Sequence, residues 1–220
     1  MKILDTILSV IFPVNCISCG KSGQNLCIKC LSESSPALRE CASFIFPLFD
    51  YRDRTVKKSI WLLKYKGKKG IANVFAEVMY DKITEELSEL SLMRNFREPI
   101  LIPIPLSPKR YKERGYNQSE LICKKLIEID IKNNSNNNLK LEKNILIKIK
   151  ETEHQANIKD RCERLKNLSE SFAIKNENLL KGRNIILIDD VITTGATLNE
   201  AKKILKKFGA KKVIAFTVAH

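Results

Sequence analysis

Three groups of residues have the types and spacing to do chemistry. The first is a pair of adjacent carboxylates, Asp189 and Asp190, followed closely by Thr193-Thr194-Gly195-Ala196-Thr197. Ionised carboxylates only accept hydrogen bonds, which suits two vicinal hydroxyls or a hydrated Mg2+. Three threonine hydroxyls and the free N–H groups of a helix start suit a phosphate, and Gly195 lets the backbone come close to it. Hydroxyls on one side and a phosphate on the other describe a ribose 5-phosphate. The second group is Arg110, Arg114, Gly115 and the amides Asn117 and Gln118, arginine-rich chemistry suited to a pyrophosphate. The third is Cys16-x-x-Cys19 and Cys27-x-x-Cys30, with seven residues between the pairs. Four thiolates at that spacing fit a closed, tetrahedral and therefore structural Zn2+ site. A redox role for one CxxC is the rival reading, and the proximity of the second pair favours metal.

The elements that must hold these groups are legible around them. Residues 185–188 are four consecutive apolar residues, the pattern of a parallel strand buried on both faces. Ligands of open α/β sheets sit at the carboxyl ends of such strands, where Asp189 and Asp190 stand. Ala201, Ile204, Leu205 and Phe208 then form a helical stripe that stops at Gly209. The spacing predicts strands over 44–51, 100–105, 141–149 and 211–219. It predicts helices over 54–64, 71–92 and 121–131, with a turn at Gly67. Lys64 and Lys66, beside Tyr65, are placed to meet an anion or to form a solvated face. Segment 132–140 is polar and rich in asparagine and reads as a disordered surface loop. The division is a knuckle over 1–36 and an α/β domain over 37–220.

Strand 185–190 also resembles the apolar, Asp-terminated strand of an NTPase. That would need a G-x-x-x-x-G-K-[ST] loop. At Gly20-Lys21-Ser22, however, Asn15 stands where the first glycine belongs, and two cysteines interrupt the loop.

The chain of 220 residues is 44% hydrophobic and carries 39 Lys+Arg against 25 Asp+Glu, a formal net charge of +14. That excess points to an anionic partner, although abundant Lys, Asn and Ile also give a purely compositional reading. No run of 18 apolar residues is present, so no transmembrane helix is expected. Asp5 interrupts the apolar N-terminus, which reads as an amphipathic segment, not a signal peptide. Seven cysteines, four of them clustered, suit metal in a reducing cytoplasm better than disulfides. Cys41, Cys123 and Cys162 read as small apolar residues.

Residues 184–200 resemble the PRPP-binding motif of type I phosphoribosyltransferases. The resemblance implies that Asp189 and Asp190 bind ribose, that Thr193, Thr194, Gly195, Ala196 and Thr197 bind its 5-phosphate, and that Mg2+ accompanies PRPP. Two CxxC pairs, I-P-I-P-L at 102–106, R-Y-K-E-R-G-Y-N-Q at 110–118 and this motif together resemble the ComF family, which is linked to natural competence. That resemblance implies an α/β, type I phosphoribosyltransferase-like fold: a mostly parallel sheet with flanking helices behind an N-terminal four-cysteine zinc knuckle. It implies that Arg110, Arg114, Tyr116, Asn117 and Gln118 form a mobile pyrophosphate-facing loop. Arg114, Asp189 and Asp190 become the catalytic set, if turnover occurs. Single-stranded DNA in the cytoplasm is the implied partner, with Tyr51, Trp61, Tyr65 and Tyr116 available for stacking. DNA-uptake proteins are further partners the resemblance suggests. A salvage enzyme joining PRPP to a small base, and a non-catalytic PRPP sensor, are the alternatives. The T-x-x-Q and R-x-x-N spacings of Thr152, Gln155, Arg164 and Asn167 also resemble that family, and His154, between Thr152 and Gln155, is a candidate for base reading or catalysis. In type I enzymes a hood selects the base; here residues before about Ile100 would have to supply it.

Overall fold

The computed structural model describes residues 14–38, 41–94, 96–134, 137–149 and 171–220. The N-terminal segment 1–13, Cys162, and the Thr152, His154, Gln155, Arg164 and Asn167 group lie outside the described residues.

Among the described residues the centre is a five-stranded sheet in the order β1-β7-β6-β2-β3, with every neighbouring pair parallel. Its strands are β1 (Ile45–Phe49), β2 (Ile100–Pro103), β3 (Lys140–Leu141), β6 (Asn184–Val191) and β7 (Lys212–Ala219). β6 is the middle strand, and Leu187 lies opposite Ile102 on one side and Ala215 on the other. Side chains alternate across a strand. Accordingly Ile186 and Ile188 enter one apolar layer, and Ile185 and Leu187 enter the other. This is why the run has no polar member: both faces are covered. Pro47 is accommodated because β1 is an edge strand.

The first layer holds α2 (Arg54–Tyr65), α3 (Ile71–Arg94) and α5 (Gln118–Lys132), which contribute Ile60, Phe75 and Ile122 among others. The second layer holds α6 (Ala196–Lys207) and a small antiparallel sheet of β4 (Leu146–Lys148) with β5 (Phe172–Ile174). The short helix α1 (Ile28–Ser32) and the cysteine segment join the first layer, because Leu26, Cys27, Cys30 and Leu31 belong to the same buried cluster as Phe75 and Ile83.

Connectivity then locates the site. From β2 the chain moves outward to β3, whereas from β6 it moves the opposite way to β7. The two middle strands β2 and β6 therefore flank a topological switch point, where a crevice opens at their carboxyl ends.

Two local expectations change. The segment predicted as one strand over 141–149 is two: β3 pairs with β2, and β4 leaves to pair with β5. Polar Glu142-Lys143-Asn144 forms the turn between them, and the buried side changes from the first layer at Leu141 to the second at Leu146. The arginine segment expected as a loop is a helix, α4 (Pro108–Arg114). Ser107 accepts a hydrogen bond from the Arg110 N–H, Pro108 occupies the first turn, and Gly115 stops it at φ 74°. Within 132–140, Leu139 is buried and its N–H donates to Asp130, while Asn137 Nδ2 bonds Thr84 Oγ1; residues 135–136 lie outside the described residues.

Candidate functional site

The crevice is a cavity of about 290 Å³ at the carboxyl ends of β2 and β6. One wall carries Asp189 and Asp190. The loop 192–195 and the start of α6 also line the cavity, as do Arg110 and Arg114 of α4 and Lys148 of β4. All five residues Thr193 to Thr197 line it. Gly195 sits at φ 74° as the N-cap of α6, a conformation that L side chains rarely adopt, so the tight entry into the helix depends on this glycine. Thr194 Oγ1 accepts from the Ala196 N–H at 3.4 Å. Hydroxyls and helix-start amides lining one cavity with three cations can take a phosphorylated, polyanionic ligand.

The carboxylates are held differently. Asp190 is 3% exposed. Its Oδ1 pairs with Lys64 Nζ at 2.7 Å, and its Oδ2 accepts from Gln118 Nε2 at 2.5 Å. Asp189 Oδ1 accepts from the Asp190 N–H at 2.8 Å and from Ser119 Oγ at 3.2 Å. Burial, and then the negative charge of Asp190, push the Asp189 carboxyl up to about 7, against the pull of Lys64. Burial and the neighbouring Arg110 hold the Lys148 ammonium below its ordinary value, with Asp189 opposing them.

The R-G-Y-N-Q residues separate. Arg110, Arg114 and Gln118 line the cavity. The Tyr116 hydroxyl donates to the Leu63 carbonyl, and Lys69 Nζ lies 4.8 Å from its ring centroid. Asn117 caps α5 and donates through Nδ2 to the Ile104 carbonyl at 2.9 Å. Tyr116 and Asn117 thus shape the backbone around the site. Lys148 and Ser119 gave no sequence signal, since each is an ordinary residue of a short strand or a helix start. Lys64 does meet an anion, but that anion is the protein's own Asp190. Tyr51 also lines the cavity, so residues before Ile100 do contribute to its walls.

Trp61, Tyr65 and Tyr111 are 46%, 57% and 52% exposed, unusual for aromatic side chains. Lys66 Nζ stands 5.2 Å from the Trp61 ring, and the Arg114 guanidinium 5.2 Å from the Tyr65 ring. A larger cavity, about 600 Å³, lies at the amino ends of β2 and β6 around Arg97, Arg183 and Lys211; it lacks the carboxylate pair and the threonine loop.

The four cysteine sulfurs lie within 4.8 Å of one another. Sγ of Cys27 is 3.7 Å from that of Cys16 and 3.8 Å from that of Cys19. Tetrahedral Zn–S bonds of about 2.3 Å require sulfurs about 3.8 Å apart, so the donor set fits zinc. The Cys27 N–H points at Cys16 Sγ at 3.4 Å. Burial raises the Cys16 thiol, but the backbone N–H groups of Cys19, Ser18 and Cys27 together outweigh it and bring it to about 6. The cluster is therefore able to hold a zinc ion. Among the described residues no helix is long and apolar enough to cross a membrane.

A phosphoribosyl transferase domain model matches residues 126–220. Competence protein F of Haemophilus influenzae is 38% identical over 54% of this chain and 49% of its own length. Competence protein ComFC of Bacillus subtilis is 33% identical over 78% of this chain and 62% of its own. ComFC of Streptococcus pneumoniae is 32% identical over 79% of this chain and 66% of its own. The matches thus span roughly half to two thirds of these relatives. With the parallel sheet, its flanking helices and the four-cysteine cluster ahead of them, these similarities show that the chain belongs to the ComF family of phosphoribosyltransferase-like proteins.

Proposed function

We propose that this chain binds PRPP with Mg2+ in the β2–β6 crevice and acts on incoming single-stranded DNA in the cytoplasm during natural transformation. One observation carries the first half: a carboxylate pair, a threonine-lined helix start and the cations Arg110, Arg114 and Lys148 all line one cavity. In this reading the carboxylate wall accepts the ribose hydroxyls. Thr193, Thr194, Gly195, Ala196 and Thr197 hold the 5-phosphate, and the arginines of α4 meet the pyrophosphate. Bound Mg2+ would neutralise pyrophosphate charge. Where turnover occurs, Arg110 and Arg114 stabilise the charge that develops on the departing pyrophosphate. Cys16, Cys19, Cys27 and Cys30 hold Zn2+ as a structural ion.

The DNA half is supported by the net charge of +14 and by exposed Trp61, Tyr65 and Tyr111, with Lys66 beside Trp61 and the cavity-lining Arg114 beside Tyr65. Aromatic faces stack on bases of any sequence, and cations between them track the backbone. The relatives named competence proteins point the same way, as does DNA utilization protein YhgH of Escherichia coli K12, 25% identical over 85% of this chain. DNA-uptake proteins are the partners this reading brings with it. The division into a knuckle over 1–36 and a transferase-like domain over 37–220 belongs to the same proposal.

Asp189→Asn combined with Asp190→Asn is expected to abolish Mg·PRPP binding in calorimetry while circular dichroism stays native; unchanged affinity would refute the site. Because Asp189 titrates near 7, its carboxylate gains acceptor strength as the proton leaves. Mg·PRPP affinity should therefore rise through neutral pH in the wild type, and the rise should shrink in Asp189→Asn; equal profiles would contradict the role of Asp189. Elemental analysis should find about one Zn2+ per chain, and chelation should lower the melting temperature; a zinc-free chain of full stability would remove the structural ion. Anisotropy of a labelled single-stranded oligonucleotide should fall steeply with salt and weaken in Trp61→Ala with Tyr65→Ala. Affinity flat across salt would assign the charge to composition alone. Pyrophosphate release driven by one particular free base would instead establish a salvage enzyme.

A further inference from the structure

The larger cavity, about 600 Å³, lies at the end of the sheet away from the crevice, and its walls come from residues that lead into four adjacent strands. Arg97 and Glu98 lead into β2, Asn138 into β3, Arg183 into β6 and Lys211 into β7. Hydrogen bonds fix these segments to one another. The Lys211 N–H donates to the Arg183 carbonyl at 2.8 Å, and Asn184 Nδ2 donates to the Arg97 carbonyl at 3.0 Å. The cation-bearing segments are therefore held by backbone groups and by a buried amide, not by their own charged ends. Among the described residues no ion pair engages Arg97, Arg183 or Lys211. Three cations thus share one cavity with a single carboxylate, Glu98. Like charges gathered in this way repel one another unless an anion offsets them. Glu98 also turns at φ 45°, where residues other than Gly, Asn and Asp are rarely found, and such outliers concentrate at ligand sites.

We propose that this cavity is a second ligand site, which takes a phosphate monoester of nucleotide size on Arg97, Arg183 and Lys211. Arginine forks match phosphate oxygens, and the excess of cations over the one carboxylate suits a phosphate that is dianionic near neutral pH. The volume falls within the roughly 300–1,000 Å³ of small-molecule sites. The exposed Asn138 amide can donate to or accept from a sugar hydroxyl or a base edge, and Leu87 and Phe96 add apolar lining. A single strand of nucleic acid fits this cavity poorly. Phe96 is 1% exposed and offers no free face for stacking, and the exposed aromatics Trp61, Tyr65 and Tyr111 do not line it. The second site stands whether or not PRPP occupies the β2–β6 crevice.

The test is calorimetry on the full chain, with AMP and UMP as probes and inorganic phosphate as the control. At least one nucleotide should bind, about tenfold or more tightly than inorganic phosphate. Arg183→Gln combined with Lys211→Gln should weaken that binding by about tenfold or more, the worth of a charged hydrogen bond, at an unchanged melting temperature. Arg110→Gln combined with Arg114→Gln, in the crevice, should leave it unaltered. Asn138→Asp places a second carboxylate at the cavity, and aspartate tolerates the φ of 48° found there. That variant should fold and weaken the nucleotide severalfold, so it decides the matter if the double variant is unstable. Phosphate binding as tightly as the nucleotides would reduce the cavity to a bare anion site and overturn the assignment. Loss of nucleotide in the Arg110 and Arg114 variant instead would move the ligand to the crevice. A lower melting temperature with nucleotide affinity intact would assign the cations to the negative carboxyl ends of α3, α5 and α6, which lead into β2, β3 and β7. A folded wild-type chain that binds neither nucleotide, yet whose affinity for a labelled single-stranded oligonucleotide drops in the Arg183 and Lys211 variant, would make the cavity part of a DNA track and sink the second site. Binding of neither nucleotide nor oligonucleotide there would sink it equally.

Discussion

A carboxylate buried at the end of an apolar strand must find a cation and donors, or give up its charge. β6 delivers two such groups in succession, and the surrounding structure is arranged to compensate them. Lys64 reaches Asp190 from α2, Gln118 and Ser119 reach the pair from α5, and Lys148 contributes positive charge from β4. Three separate elements must therefore converge on one strand end. Breaking a buried pair by removing one partner costs about 3–5 kcal/mol, so this convergence is a strong constraint on how α2 and α5 pack.

That constraint coincides with the topological switch between β2 and β6. The chain leaves β2 toward β3 and leaves β6 toward β7, so a crevice opens between their carboxyl ends. The helix that follows β6 starts at Gly195 with its first N–H groups and three threonines turned to the same opening. Carboxylate, hydroxyl floor and cationic rim meet because strand ends, helix starts and the diverging connections all fall on one edge of the sheet.

The cysteine cluster is connected to this arrangement through ordinary packing. Cys27, Cys30 and Leu31 are buried in the same layer as Val56, Ile60 and Leu63 of α2. The next residue, Lys64, is the one that pairs with Asp190. A zinc ion proposed at the four sulfurs would thus stabilise the layer that positions the counter-ion of the site. The ligands of such a small segment have few apolar neighbours of their own, which makes a shared core and a metal complementary solutions to the same shortage of buried surface.

The local parts of this molecule were legible in its sequence because they follow from short-range rules. Four apolar residues before Asp189 mark a strand covered on both faces, and Thr193 to Thr197 mark a helix start. Paired CxxC spacings mark a four-sulfur cluster. The split of 141–149 into β3 and β4 was not legible, because both pieces have strand character and the choice of partner strand is made elsewhere in the chain. Likewise R-Y-K-E-R reads as a basic loop until Ser107, Pro108 and Gly115 are seen to cap it as a helix. The sequence determined that two carboxylates end a buried strand. Only the tertiary structure decided that they differ, because the partners of Asp190 come from α2 and from Gln118, 72 residues away. No periodicity or motif spans such distances; the packing of helices on a sheet does.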